Sequence, residues 1–194
     1  MSRQLDGTGL KRLHRDWRRR SAGRVALVLD RVQSPFNVGS ILRTAAAFRV
    51  DHLWLVEGTA APTNAKAAKL ALGSERYVDW TWCDTVGAAI AGARDAGYRV
   101  VGLELAEGAV PLHELAAGPS TCLVVGHEDR GISPAGLAGC DAVAYIPQLG
   151  RVGSLNVATA AAIALYDVRR HEWQDSQASA AGGSEDRPGG NGVG

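Results

Sequence analysis

Short, almost continuously apolar runs recur along this chain at intervals that leave room for a helix between them. That alternation constrains the fold more than any other feature. Runs at Arg24–Leu29, His52–Val56, Tyr98–Leu103, Thr121–Val125 and Ala142–Ile146 carry the strand signal, and Tyr77–Trp82 is a weaker candidate. The first, third and fourth are apolar at nearly every position, as strands covered on both faces are. Between the runs, Val38–Phe48, Asn64–Leu72, Thr85–Ala96 and Leu155–Arg170 predict helices, the last with basic residues at its C-terminal turn to suit the dipole. Pro35, Pro62, Pro111, Pro134 and Pro147 all fall in the connections, where no ladder or helix bond is lost. The pattern predicts an α/β fold: a mostly parallel sheet covered by helices on both faces.

The two ends differ from this body. A net charge of +1 conceals a cationic start, since positions 1–24 hold eight Lys or Arg against Asp6 and Asp16. Leu10, Leu13 and Trp17 share one face at helical spacing, which predicts a basic amphipathic helix over 9–20 docking by that stripe. Its cations Lys11, Arg12, Arg15, Arg18, Arg19 and Arg20 imply an anionic partner. From Gln174 the chain has six glycines in 21 residues and one large apolar side chain, too little to offset the entropy of ordering. The expected organisation is a basic arm over 1–23, an α/β domain over 24–173 and a disordered tail over 174–194.

The longest apolar stretch, Val157–Tyr166, has about ten residues, short of the ~18 that a membrane helix needs. A soluble protein is expected. Cys83, Cys122 and Cys140 are odd in number, far apart and outside any CxxC spacing, which predicts reduced thiols in a cytoplasmic protein and neither disulfides nor a metal site. The start lacks the apolar core of an export signal, and Asp6 and Asp16 weigh against an organellar targeting segment.

Neither GxGxxG after the first strand nor GxxxxGK[ST] occurs, so the usual nucleotide fingerprints are missing. Three other blocks put glycine and polar residues directly after apolar strands, where open α/β sheets hold ligands. In Ser34-Pro35-Phe36-Asn37-Val38-Gly39-Ser40-Ile41-Leu42-Arg43, Asn37 stands where a helix cap belongs and Arg43 projects from the helix body. In Val125-Gly126-His127-Glu128-Asp129-Arg130-Gly131, two glycines flank a charged turn whose carboxylate could pair with a cation. In Ile146-Pro147-Gln148 through Gly153-Ser154-Leu155-Asn156-Val157-Ala158, a loop punctuated by glycine leads to an alanine-rich helix opened by Ser154 or Asn156.

Together and in this order, from about Val25 to Arg170, the blocks resemble the three motifs of the SpoU branch of the SPOUT RNA methyltransferases, close to the TrmH-like enzymes. Leu72-Gly73-Ser74-Glu75 is similar to the family's intervening segment. The resemblance implies a C-terminal deep trefoil knot, a homodimer, and transfer of a methyl group from S-adenosylmethionine to a ribose 2′-hydroxyl of RNA. It also implies that Leu103, Gly126, Ile146 and Leu155 hold the adenosine moiety. By the same resemblance Arg43 is catalytic, and since a guanidinium stays protonated it is expected to bind phosphate and stabilise the developing alkoxide. Glu128 is expected to hold Arg43 by a charge-assisted pair, while Asn37, Ser154 and Asn156 position the arginine, the loop or the ribose. Gln148 stands where the family often has methionine.

For substrate, a short chain with a basic arm resembles the members that methylate a D-loop guanosine of tRNA, with ribosomal RNA the alternative. The arm would contact phosphates without reading sequence. A non-catalytic RNA-binding module on the same scaffold is a competing class, which joint retention of Asn37, Arg43, Glu128, Ser154 and Asn156 argues against. A small-molecule enzyme of Rossmann type would need the absent glycine fingerprint.

Overall fold

A computed structural model describes residues 3–115 and 118–182, with side chains through Gln174. Seven strands, β1 Arg24–Leu29, β2 His52–Val56, β3 Asp79–Cys83, β4 Arg99–Leu103, β5 Val110–Pro111, β6 Ser120–Val125 and β7 Ala142–Tyr145, form one sheet in the order β3-β2-β1-β6-β4-β7-β5. Every pairing between these strands is parallel.

Alternate residues of β1 enter two separate cores, which is why the run is apolar throughout. Val25, Leu27 and Leu29 pack with Val38, Ile41 and Leu42 of α2 (Pro35–Ala47), Ala71 of α3 (Ala65–Ala71), and Ala161, Ala164 and Leu165 of α6 (Val157–Gly182). On the other face Ala26 and Val28 meet Ala89, Ile90 and Ala93 of α4 (Val86–Asp95), with Leu137 of α5 (Pro134–Gly139) against the edge. Small residues set the spacing within the helical layers. A Cβ at Gly39 of α2 would run into the Ala67 carbonyl of α3, so these helices pack backbone to backbone.

Local chemistry moves several expected boundaries. Ser34, not Asn37, is the N-cap of α2, because Pro35 takes the first helical position, where its missing N–H and fixed φ are harmless. Asn156 Oδ1 accepts from the N–H groups of Ala158 and Thr159, so α6 begins at Val157 and Ser154 caps nothing. The helix then runs to Gly182, into the segment expected as tail, and residues 183–194 lie outside the described residues. Arg169 and Arg170 are therefore mid-helix rather than in a last turn. Instead of complementing a dipole, the nearly buried Arg169 donates to the carbonyls of Phe48, Arg49 and Gly23 and pairs with Glu172 at 2.8 Å. The sequence pattern missed the two-residue edge strand β5 and the one-and-a-half-turn α5, both too short for periodicity to register.

The basic arm forms α1 (Gly7–Arg19), capped by Asp6. It docks through one end of its apolar stripe only. Trp17 packs at a tilt of 58° against Trp173 of α6, ring centroids 4.7 Å apart, and the Trp173 indole donates to Ser21 Oγ at 2.8 Å, while Leu10 and Leu13 remain 44% and 41% exposed. No described helix is long and apolar enough to cross a membrane.

Candidate active site

Loops from the carboxyl ends of β1, β6 and β7 converge, and Glu128 is where they meet. Its Oε1 accepts from the Ser34 N–H at 2.9 Å and from Asn37 Nδ2 at 2.8 Å, and its Oε2 accepts from the Gln33 N–H at 3.1 Å. The anion lies against the first turn of α2, where unpaired N–H groups and the helix dipole favour it. Burial pushes the Glu128 carboxyl up, but the hydrogen bonds from Asn37, Ser34 and Gln33 together outweigh it and hold the group below the usual carboxylate range.

The network has a direction. An ionised carboxylate only accepts, so Asn37 turns its amide nitrogen to Glu128, and its Oδ1 accepts from Asn156 Nδ2 at 2.9 Å. Asn156 Oδ1 is then left facing the N–H groups of α6, at 3.0 Å from Ala158 N and 3.2 Å from Thr159 N. One charge thus orients two amides and the start of the last helix, and joins all three sequence blocks.

The expected pair between Glu128 and Arg43 is not formed. The carboxylate is occupied by donors from residues 33–37, and Arg43, six residues beyond Asn37, lies about 120° away around the helix. The Arg43 side chain is exposed, and no hydrogen bond or ion pair among the described residues engages it. Ser154 is exposed in the loop before α6 and is likewise outside the network.

Leu103, Gly126, Ile146 and Leu155 do come together. They line a cavity of about 290 Å³ at the carboxyl ends of β4, β6 and β7, bordered also by Glu128 and Ser154. Gln148 lines it too, and its Oε1 is buried without a hydrogen-bond partner. Gly126 is required here, because the turn folds back so closely that a Cβ would strike the backbone of Gly131 and Ile132. The turn is closed by paired backbone bonds between His127 and Gly131, at 3.0 and 2.9 Å, and by the Asp129 N–H donating to His127 Nδ1 at 3.0 Å. His127 is therefore a turn residue, its Nδ1 used as an acceptor.

Two carboxylates escaped the sequence reading. Buried Asp30 accepts from the Ser133 N–H at 2.7 Å, and Glu104 accepts from the Ile132 N–H at 2.9 Å. Together they pin the far side of the same turn. Each directly follows an apolar strand run, Leu29-Asp30 and Leu103-Glu104, the position that singled out the other blocks. Among the described residues no group of three or more His, Cys, Asp or Glu is placed to hold a metal ion. The cysteines are free thiols, with burial pushing Cys122 up and Cys140 up to about 11.

Known proteins resemble this chain in sequence and fold. Residues 24–166 match the SpoU rRNA Methylase family. The tRNA (guanosine(18)-2′-O)-methyltransferase of Escherichia coli is 34% identical over 147 residues, covering 75% of this chain and 63% of its own. The chain spans about three fifths of the length of the curated relatives it matches. A solved AdoMet-bound rRNA methyltransferase from Sinorhizobium meliloti is similar with a TM-score of 0.73 and 33% identity, over 77% of this chain and 57% of that one. The TrmH/SpoU tRNA modifying enzyme of A. aeolicus has a TM-score of 0.70 and 27% identity, over 88% of this chain and 87% of that one. Because the matched region encloses the three sequence blocks, the cavity and the whole Glu128 network, the chain belongs to the SpoU methylase family.

Proposed function

We propose that this protein is an S-adenosylmethionine-dependent RNA methyltransferase acting on a ribose 2′-hydroxyl, with tRNA as its substrate. The observation that carries the reading is the Glu128–Asn37–Asn156 network bordering the cavity, since a module that only binds RNA has no use for a charge-oriented amide relay beside a nucleoside-sized site. The cavity fits the cofactor. Its apolar wall at Leu103, Ile146 and Leu155 suits a neutral adenine, and the orphaned Gln148 Oε1 offers an acceptor to an amine or hydroxyl. The AdoMet-bound relative of similar fold supports the same choice.

S-adenosylmethionine, when bound, supplies the electrophilic methyl group. Asn37 and Asn156, held by Glu128, position the loop and the incoming ribose at the mouth of the cavity. Arg43, which no hydrogen bond or ion pair engages among the described residues, grips the phosphate beside the ribose and stabilises the oxygen as it loses its proton to phosphate or water. For substrate, a tRNA modifying enzyme is matched over nearly the whole of both chains, and a relative is named for guanosine 18 of tRNA. Ribosomal RNA is the second reading, favoured by the Sinorhizobium neighbour. The strand order supports a trefoil knot, with β6 inserted between β1 and β4 and α6 returning to pack on α2. Ile163 and Tyr166, exposed on α6, give a homodimer surface to bury. The expected setting is the cytoplasm.

Transfer of labelled methyl to unmodified tRNA, followed by alkaline digestion, tests the reading, because a ribose-methylated linkage resists alkali. tRNA is expected to be labelled in preference to ribosomal RNA. Arg43→Ala is expected to lower the transfer rate at least ~10²-fold, the scale of losing one transition-state donor, with cofactor affinity unchanged by calorimetry. Near-normal transfer by that variant would remove Arg43 from the chemistry, and absence of heat on titrating S-adenosylmethionine into the wild type would favour the module.

A further inference from the structure

A second concavity lies at the opposite end of the sheet. It is a groove of about 690 Å³ between α1, the C-terminal end of α2 and α6, reaching Val50 and Asp51 just before β2. The cofactor cavity opens at the carboxyl ends of the strands and this groove at their amino ends, so a five- to six-residue strand, about 17–20 Å, separates them. We propose that the groove is a nucleotide-binding exosite that captures an unpaired base of the RNA substrate and its phosphates; the inference rests on the RNA-methyltransferase reading above.

The groove selects among the cations of the arm. Lys11, His14 and Arg18, at i, i+3 and i+7, form one stripe of α1 and line it, whereas Arg12, Arg15 and Arg19 form the next stripe and do not. Arg49 faces the stripe from the end of α2. No ion pair among the described residues engages Lys11, Arg18 or Arg49. The acid among the described lining residues is Asp51, which already accepts from Tyr98 Oη at 2.9 Å and lies 3.7 Å from Arg24. An unneutralised cationic rim points to a polyanion rather than an apolar peptide.

Aromatic walls add the second element. Trp17, Trp173 and Tyr77 line the groove, the last 66% exposed on the segment before β3. Arg20 lies over the Trp17 ring at 5.1 Å and Arg76 over the Tyr77 ring at 4.8 Å, so each of these two rings offers a base its other side. Cations tracking a backbone beside exposed aromatic faces are what single-stranded nucleic acid recognition uses, since every base has a face to stack. A duplex exposes no such face, so the groove takes an unpaired or splayed nucleotide. The remaining arginines of α1 would contribute charge without register.

Single-stranded hexauridylate and an abasic hexamer of equal length are the probes, with quenching of tryptophan fluorescence as the readout on the full chain. Hexauridylate is expected to quench and the abasic strand to bind at least ~10-fold more weakly. Tyr77→Ala should lose about the same factor, and Tyr77→Phe should restore it. Lys11→Glu with Arg18→Glu is compared with Arg12→Glu with Arg15→Glu, an identical change in charge on adjacent faces. The first pair is expected to abolish quenching and raise the KM for tRNA several-fold more than the second. Equal effects of the two pairs, or equal binding of the abasic strand, would overturn the exosite while leaving methyl transfer intact; absence of methyl transfer to any RNA by the wild type would instead fall on the functional reading. Light scattering closes the remaining route: if Lys11→Glu with Arg18→Glu changes the oligomeric state, the groove is a protein interface and the proposal is wrong.

Discussion

Glu128 acts through what it accepts, and its charge is what the site depends on. In Glu128→Gln one accepting oxygen becomes an NH₂ facing the N–H donors of residues 33–34 or the Asn37 amide. Shape is kept and polarity is reversed. The partly exposed position moderates the cost, expected at about 1 kcal/mol by urea denaturation at neutral pH. The native pKa is depressed, so the stabilising contribution is complete above the unfolded carboxyl value near ~4.3 and is lost as pH falls through the native value. The stability gap between wild type and Glu128→Gln should therefore be flat from neutrality down to about that pH and close below it. A gap that closes instead near neutrality would assign the network to another titrating group. At this scale the blocks were legible in the sequence, because Gly126, Glu128 and Asn156 follow strand ends. Their bonding was not: the family resemblance led to an expected pair of Arg43 with Glu128, and only three-dimensional geometry shows the carboxylate occupied by donors at the start of α2.

Elements meet the same limit. The long apolar runs and the start of the alanine-rich helix were readable to within a few residues, since burial on both sheet faces leaves a pattern that local sequence carries, whereas the end of that helix lies twelve residues beyond the expected Arg170. What ties the elements together is less visible. Arg169 looked like a residue for a helix end, yet it is a nearly buried guanidinium that fastens α6 to the carbonyls closing α2 and to the residue before β1. Arg169→Ala strands those carbonyls in a poorly hydrated place and removes the ion pair with Glu172, and is expected to destabilise the protein by about 3 kcal/mol in urea denaturation. A loss no larger than that of an exposed arginine would show the contacts to be incidental. Because the cofactor cavity and Asn156 lie at the other end of α6, weakened cofactor binding should accompany the loss only as global stability runs out.

Across the whole molecule, charge is divided between a basic arm and a mildly acidic body, and the fold gives that division a shape. The arm packs by Trp17 on Trp173, which sets its cations around the second groove and outward from it. With about six phosphates neutralised, affinity for tRNA should fall roughly 10³-fold between about 50 and 200 mM salt; fluorescence anisotropy across that range tests it, and a flat response would exclude the arm from RNA binding. By itself the sequence determined the class of fold, the order of strands and helices, and the family through its three blocks, because periodicity and motif order are local properties of the chain. Tertiary structure alone decided which strands became neighbours, that β6 enters between β1 and β4, and that Asn37, Glu128 and Asn156 join into one directed network. It also decided which cations of α1 face a groove. Those outcomes depend on contacts between residues about 90 to 160 positions apart, and no short-range pattern in a single chain records which distant partner a polar group finds.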